Sequence, residues 1–378
     1  MFRINFNGGD VIYWNGQPAF PFRENLKDLP AFLEERFQSL SISDMILFGD
    51  CRPVHRIAIE AARRKGIRIH VYEEGYFRPY WVTLERNGVN AHSLLPRDPD
   101  WYWRVGANLP DYGDGESFTS PLRLRAMHDV NYHLDCIVNP VLFPGYRTHC
   151  AVTAPLEYAG YLRRYVALPF YRRRDKKVLD SLIADGVPFF LLPLQLNNDA
   201  QIRDHSSFSD MKQVMEYVME SFVRSAPGDA RLVIKNHPLD SGLHDYAGTI
   251  CRLERRFDLS GRIHYVETGD LVGLLSCARG VVTVNSTVGG WSLSGRCPTI
   301  ALSDPIYNLS GLTFQGKLDE FWQNPEAPDM ELFRRFRNTV IHTTQVNGGF
   351  YSPEGIGMAV RNSIRLLTAE KSPLEELL

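Results

Sequence analysis

The six cysteines of this chain, Cys51, Cys136, Cys150, Cys251, Cys277 and Cys297, form no CxxC pair and no zinc-like spacing. That excludes a disulfide framework and a zinc module, and the thiols read as reduced, core-packing groups. No apolar run approaches the roughly 20 residues needed to cross a bilayer. The N-terminus, MFRINFNGGDVIYW, lacks a basic segment followed by a continuous apolar one, so no signal peptide is expected. Charge of one sign is not in excess either: 42 Lys and Arg face 44 Asp and Glu, a formal net charge of -2. A general nucleic-acid binder would be strongly basic, so no nucleic-acid partner is expected. A P-loop, a GxGxxG after the first strand and an HExxH are all missing. Nucleotide hydrolysis, dinucleotide-dependent oxidoreduction and zinc proteolysis are thereby disfavoured. The expectation is a cytoplasmic protein, with contact at a membrane surface left open.

What is present is the composition of a soluble globular chain, 44% hydrophobic and 23% charged, and its 378 residues suit two domains. The first ninety residues alternate strand and helix signals. Residues 2–7 predict a strand with 11–14 as its hairpin partner, and 25–40 has helical periodicity. Residues 44–49, 50–64 and 67–72 then read as strand, helix and strand, a βαβ unit. A helix is expected over 121–134. From 159 to 178 the chain turns basic and aromatic, YLRRYVALPFYRRRDKKV, and the domain junction is placed near its end. That stretch reads either as a solvated interdomain helix and linker or as a polybasic patch touching anionic lipid. A second alternating series runs from 187 to 302, the pattern of a parallel, Rossmann-like sheet. A further helix over 351–367 packs back on one half. The expected architecture is α/β and GT-B-like, two Rossmann-like domains facing a cleft, divided as 1–175, 176–345 and a helical 346–378.

Four strand ends finish in polar residues. Ile67 to Tyr72 runs into Glu73-Glu74-Gly75, two adjacent carboxylates at the edge where open α/β sheets bind ligands. Two such acids are costly to keep ionised together without cations. The preceding strand ends in Gly49-Asp50-Cys51-Arg52-Pro53-Val54-His55. In the second half, Lys235-Asn236-His237-Pro238 pairs a lysine and an imidazole suited to a phosphate or carboxylate, with a proline that ends the strand. Asn285-Ser286-Thr287 before Gly289-Gly290 reads as a helix start that would face a phosphate, or as an ordinary Ser/Thr cap. Gln195 to Asp199 supplies amides and a carboxylate on the same sheet edge.

Together, GDCRPVHRIAIEAARRKGIRIHVYEEGYFRPYWVTLERNGVNAHSLLPRDP, PLQLNNDAQIRDHS, KNHP and NSTVGGWSLSGRCPTIAL resemble the bacterial capsular polysaccharide biosynthesis family of KpsS/LipB type, related to the KpsC-type β-Kdo glycosyltransferases. The resemblance implies a retaining transferase. It would carry Kdo from CMP-β-Kdo to phosphatidylglycerol or lysophosphatidylglycerol, starting the poly-Kdo linker of a lipid-anchored capsule. Relatives of KpsC type carry Glu-Asp-Gly-Phe where this chain has Glu73-Glu74-Gly75-Tyr76, which makes Glu74 the counterpart of the second acid and the candidate nucleophile. Lys235, His237, Ser286 and Thr287 would offset charge on the departing CMP phosphate. Arg52, His55 or Arg78 would meet the Kdo carboxylate, and Gln195 to Asp199 the cytidine. The donor would be held by the second half and attacked from the first. Neither cofactor nor metal is implied. Implied partners are CMP-Kdo, the lipid acceptor, the inner-membrane surface, a KpsC-type transferase and the capsule export machinery, with peripheral attachment to the inner membrane. A non-catalytic glycolipid-handling component of export and a nucleotide-sugar epimerase of the same architecture are the alternatives.

Overall fold

The fold is that of a computed structural model, which describes residues 1–14, 18–148, 152–196, 202 and 206–378. Its strands are β1 (Arg3–Asn5), β2 (Ala19–Pro21), β3 (Asp44–Phe48), β4 (Arg68–Glu74), β5 (Trp81–Arg86), β6 (Phe189–Pro193), β7 (Arg231–Lys235), β8 (Ile263–Val266), β9 (Gly280–Thr283), β10 (Thr299–Ala301) and β11 (Gln345–Asn347). They lie in two compact α/β units. The first comprises Met1–Leu95, Pro110–Ala151 and Val340–Leu378, and the second Pro96–Leu109 and Val152–Thr339. The α/β class is as the sequence implies. The division differs from the expected one because residues 154–184 are not a linker. They form one helix, Ala154–Ala184, that runs through Pro169 and packs Leu179 and Leu182 on the second unit's sheet. A proline inside a helix usually marks a break, and here the chain continues past it.

The second unit is a five-stranded, all-parallel sheet in the order β10-β9-β6-β7-β8. Its strands are buried on both faces, which explains their nearly continuous apolar sequences. Phe190, Leu192, Leu232, Ile234 and Val282 pack toward the Met211–Ser225 and Tyr246–Arg256 helices. Alternate residues Leu191, Val233 and Val281 pack toward Leu179, Leu182, Leu274 and Leu275. Each fully buried side chain of this size contributes about 1.5–3 kcal/mol. The strand order reverses between β6 and β9, so the loops after those two strands meet at a topological switch point.

The first unit's sheet is mixed. β3, the Pro53–Arg64 helix and β4 form the expected βαβ unit, with β3 and β4 parallel. The chain then turns back at Gly75, and β5 pairs antiparallel with β4, as β11 does with β5. The sheet order is therefore β11-β5-β4-β3 and mixed. Gly75 permits this turn: a Cβ there would lie 2.1 Å from the carbonyl oxygen of Trp81. Residues 11–14 do not form a hairpin strand. Gly8–Ile12 is a short helix capped by the Asn7 side chain, and the partner of β1 is β2, in parallel. Since β11 and the Pro353–Thr368 helix pack on β5, the C-terminal segment belongs to the first unit.

Candidate functional site

In the first unit, Glu73 and Glu74 end β4 but do not share a site. Successive residues of a strand point to opposite faces. Ile69 and Val71 share the Glu73 face and meet the helical core, while Tyr72 shares the Glu74 face with Phe350. Glu73 turns its carboxylate onto its own chain, where Oε1 accepts from the Glu74 backbone N–H at 2.9 Å. Its Oε2 sits over Gly49, whose φ of +71° is the left-handed conformation that favours glycine. Glu74 Oε1 accepts from the Tyr351 hydroxyl at 2.9 Å and lies 3.9 Å from the Arg125 guanidinium, which stacks over the Tyr351 ring. Burial first, and then the Glu74 charge, push the Tyr351 phenol up to about 12, so it stays a donor. The repulsion feared between neighbouring acids is avoided by this separation.

Around the Gly49 turn, Asp50 is buried and accepts from Val89 N and His92 Nδ1, both at 3.0 Å, and from Cys51 Sγ at 3.1 Å. Burial alone would raise its pKa, but these donors outweigh burial and hold it below the usual carboxylate value. His55 Nδ1 lies 2.8 Å from Gly49 O. Arg52 is exposed and stands over the Phe48 ring, and the exposed Arg78 donates to Gly75 O at 3.4 Å. Glu85 is a further acid of this unit, with no expectation attached to it from sequence. It is 4% exposed near the end of β5, accepts from the Tyr76 hydroxyl at 2.6 Å and also holds the Ser93 hydroxyl. An acid closing the strand-forming run WVTLE was the available signal. Asp50, Cys51 and His92 are the group among the described residues whose donor atoms converge closely enough for a cation. Their mutual hydrogen bonds already satisfy one another without one.

In the second unit, the switch point gathers Gln195, Asn285, Ser286 and Thr287. Gln195 Nε2 donates to Asn285 Oδ1 at 3.0 Å, and Asn285 N donates back to Gln195 Oε1 at 3.3 Å. The Gln195 amide thus ties the ends of β6 and β9 together. Asp199 lies outside the described residues. Ser286 caps the Thr287–Ser294 helix, its hydroxyl accepting from Val288 N at 3.2 Å. The Tyr307 hydroxyl donates to Ser286 O at 2.6 Å and occupies the space a Cβ on Gly289 would need, 2.2 Å away. That contact explains the glycine in the first helical turn.

Lys235 ends β7, one strand from β6, and is 5% exposed, with Nζ 3.4 Å from Asn236 O. Burial and then the Arg164 charge lower its pKa, against the pull of Asp175, Asp270 and Glu267. His237 Nδ1 accepts from Leu239 N at 3.1 Å, shaping the loop. Arg164, from the basic-aromatic stretch, turns inward to donate to Pro238 O at 2.8 Å and Asp240 O at 2.7 Å, and pairs with Glu267 at 3.3 Å. The Lys-Asn-His-Pro corner is therefore braced from behind by a residue the sequence reading counted as surface charge.

Residues 43–351 match the family model described as "Capsule polysaccharide biosynthesis protein". The chain is 38% identical to the capsule polysaccharide export protein KpsS of Escherichia coli, over 92% of this chain and 89% of the relative. It is 34% identical to the capsule polysaccharide modification protein LipB of Neisseria meningitidis serogroup B, over 93% and 85%. Among solved structures, KpsC of Thermosulfurimonas dismutans, titled a beta Kdo 2,7 transferase, aligns over 89% of each chain with 13% identity and a TM-score of 0.44. On the family match and these two relatives, the chain belongs to the capsule polysaccharide biosynthesis family.

Proposed function

We propose that this chain is a retaining β-Kdo glycosyltransferase that moves Kdo from CMP-β-Kdo to phosphatidylglycerol or its lyso form at the inner-membrane surface. The observation that carries the reading is Glu74, a strand-end carboxylate whose Oε1 is fixed by Tyr351 and Arg125. Among the described residues its Oε2 accepts no hydrogen bond. In the first displacement a Glu74 oxygen attacks the anomeric carbon of Kdo and the bond to the CMP phosphate breaks, leaving a glycosyl ester. In the second, an acceptor hydroxyl attacks the same carbon, loses its proton, and restores the carboxylate. Two inversions give net retention. Ser286 and Thr287 offer a helix start to the phosphate, with the Lys235 charge two strands away across β6 and His237 beside it. The Kdo carboxylate falls to Arg52, His55 or Arg78. No metal enters these steps, so transfer should persist in chelator.

The test is incubation with CMP-Kdo generated in situ and a fluorescent phosphatidylglycerol analogue, with and without chelator. A Kdo-bearing lipid is the expected product, and Glu74→Gln should cut its formation by about a thousandfold or more while the unfolding curve is unchanged. Near-normal transfer by this variant removes Glu74 as nucleophile. The KpsS relative's name as an export protein favours a second reading, a non-catalytic glycolipid carrier. Specific binding of Kdo-lipid without any donor turnover would select it.

A further inference from the structure

The Ala154–Ala184 helix has two faces of opposite character. Its buried residues, Gly160, Arg164, Asp175, Leu179 and Leu182, fall on one side at helical spacing and pack into the second unit. On the opposite side stand Leu162, Tyr165, Val166 and Phe170, at spacings of three and four. They are 66%, 74%, 73% and 69% exposed. A solvated helix face is normally polar, and side chains of this size left in water mark an interaction surface.

The same face changes chemistry along its length. Beyond Phe170 it carries exposed Arg172, Arg173, Lys176 and Lys177, with Asp180 bound to Lys176 at 2.6 Å as the exposed acid of that half. The chain as a whole has a formal net charge of -2, so this is a local concentration of cations. We propose that this face is a docking surface for an anionic lipid bilayer. Leu162, Tyr165, Val166 and Phe170 enter the boundary between headgroups and acyl chains, and the four cations lie on lipid phosphates. Charge complementarity argues for this occupant: a protein partner matching the apolar half would have no need of an adjoining basic half. The long stems of Arg and Lys suit headgroup depth.

The proposal deepens the lipid-acceptor reading by naming the surface that meets the membrane, but vesicle binding without sugar donor tests it separately. The full chain is sedimented with vesicles of phosphatidylcholine alone and of phosphatidylcholine with one third phosphatidylglycerol. Binding is expected to the anionic vesicles, weakening as salt is raised. Replacing Arg172 and Arg173 by alanine should weaken it roughly twenty-five-fold, at about fivefold per cation. The triple change Leu162→Ser, Val166→Ser and Phe170→Ser should abolish it, with unfolding midpoint unchanged, since all three side chains are exposed. Equal binding by wild type and both variants would overturn the proposal, as would absence of binding. A wild-type dimer that becomes monomeric in the triple variant would also overturn it, assigning the face to a second copy. Kdo transfer to a detergent-dispersed acceptor should survive the triple change. If wild type binds vesicles but transfers to neither form of acceptor, the transferase reading fails and the docking surface stands.

Discussion

Tyr351 is the residue through which Glu74 can be tested without removing it. Its hydroxyl donates to Glu74 Oε1 at 2.9 Å, and nothing in the Glu-Glu-Gly segment announces this partner 277 positions away. The two acids and the glycine were legible in the sequence, but the strand was expected to end at Tyr72, and only its extension through Glu74 sends the two side chains to opposite faces. Which face carries a tyrosine and an arginine was not, because both come from elements distant in the chain. A hydrogen bond to a charged group contributes about 1.5–3 kcal/mol. Tyr351→Phe should therefore lower kcat by about tenfold to a hundredfold with KM little changed. An unchanged kcat would mean that Tyr351 packs near Glu74 without positioning it.

At the scale of elements, the second unit's strands were legible because parallel strands buried on both faces give short apolar runs ended by polar residues. The first unit's β5 and β11 were not, since an antiparallel return after Gly75 depends on a close approach to Trp81 that composition does not show. The Ala154–Ala184 helix was half legible: its charge was evident, but not that Arg164 faces inward while Arg172 and Arg173 face out. This difference is measurable. Arg164→Ala leaves Glu267 and the carbonyls of Pro238 and Asp240 without their cation. Removing one partner of a buried pair costs about 3–5 kcal/mol, whereas an exposed substitution stays within about 0.5 kcal/mol. Urea unfolding should show that loss for Arg164→Ala and almost none for Arg172→Ala. Equal midpoints would make the corner behind Lys235 self-supporting.

For the whole molecule, acid sensitivity should begin with histidines and not with the candidate site's carboxylates. Burial lowers the pKa of His70, His264 and His342 below the ordinary 6.5. Asp44 and Arg86 flank His70, Arg231 adds to the effect at His264, and the Pro110 carbonyl partly opposes it at His342. Above 6.5 each is neutral in both folded and unfolded chains and exerts no pH effect. Below it the unfolded chain takes up protons first, so stability falls as pH drops from 6.5 toward each folded value. Asp44 and Asp50 are held below the ordinary carboxylate value of 3.8, so their stabilisation is lost only in stronger acid. Part-buried Asp10 and Glu254 shift upward, chiefly through burial, and act in the opposite sense. A difference measurement isolates one histidine from these others. His264 lies on β8 of the second unit, half-buried, where leucine fits the strand. His264→Leu should unfold with a shallower dependence on pH below 6.5 than wild type, and with parallel dependence above it. Parallel curves throughout would show that His264 takes up its proton as readily in the folded chain as in the unfolded one.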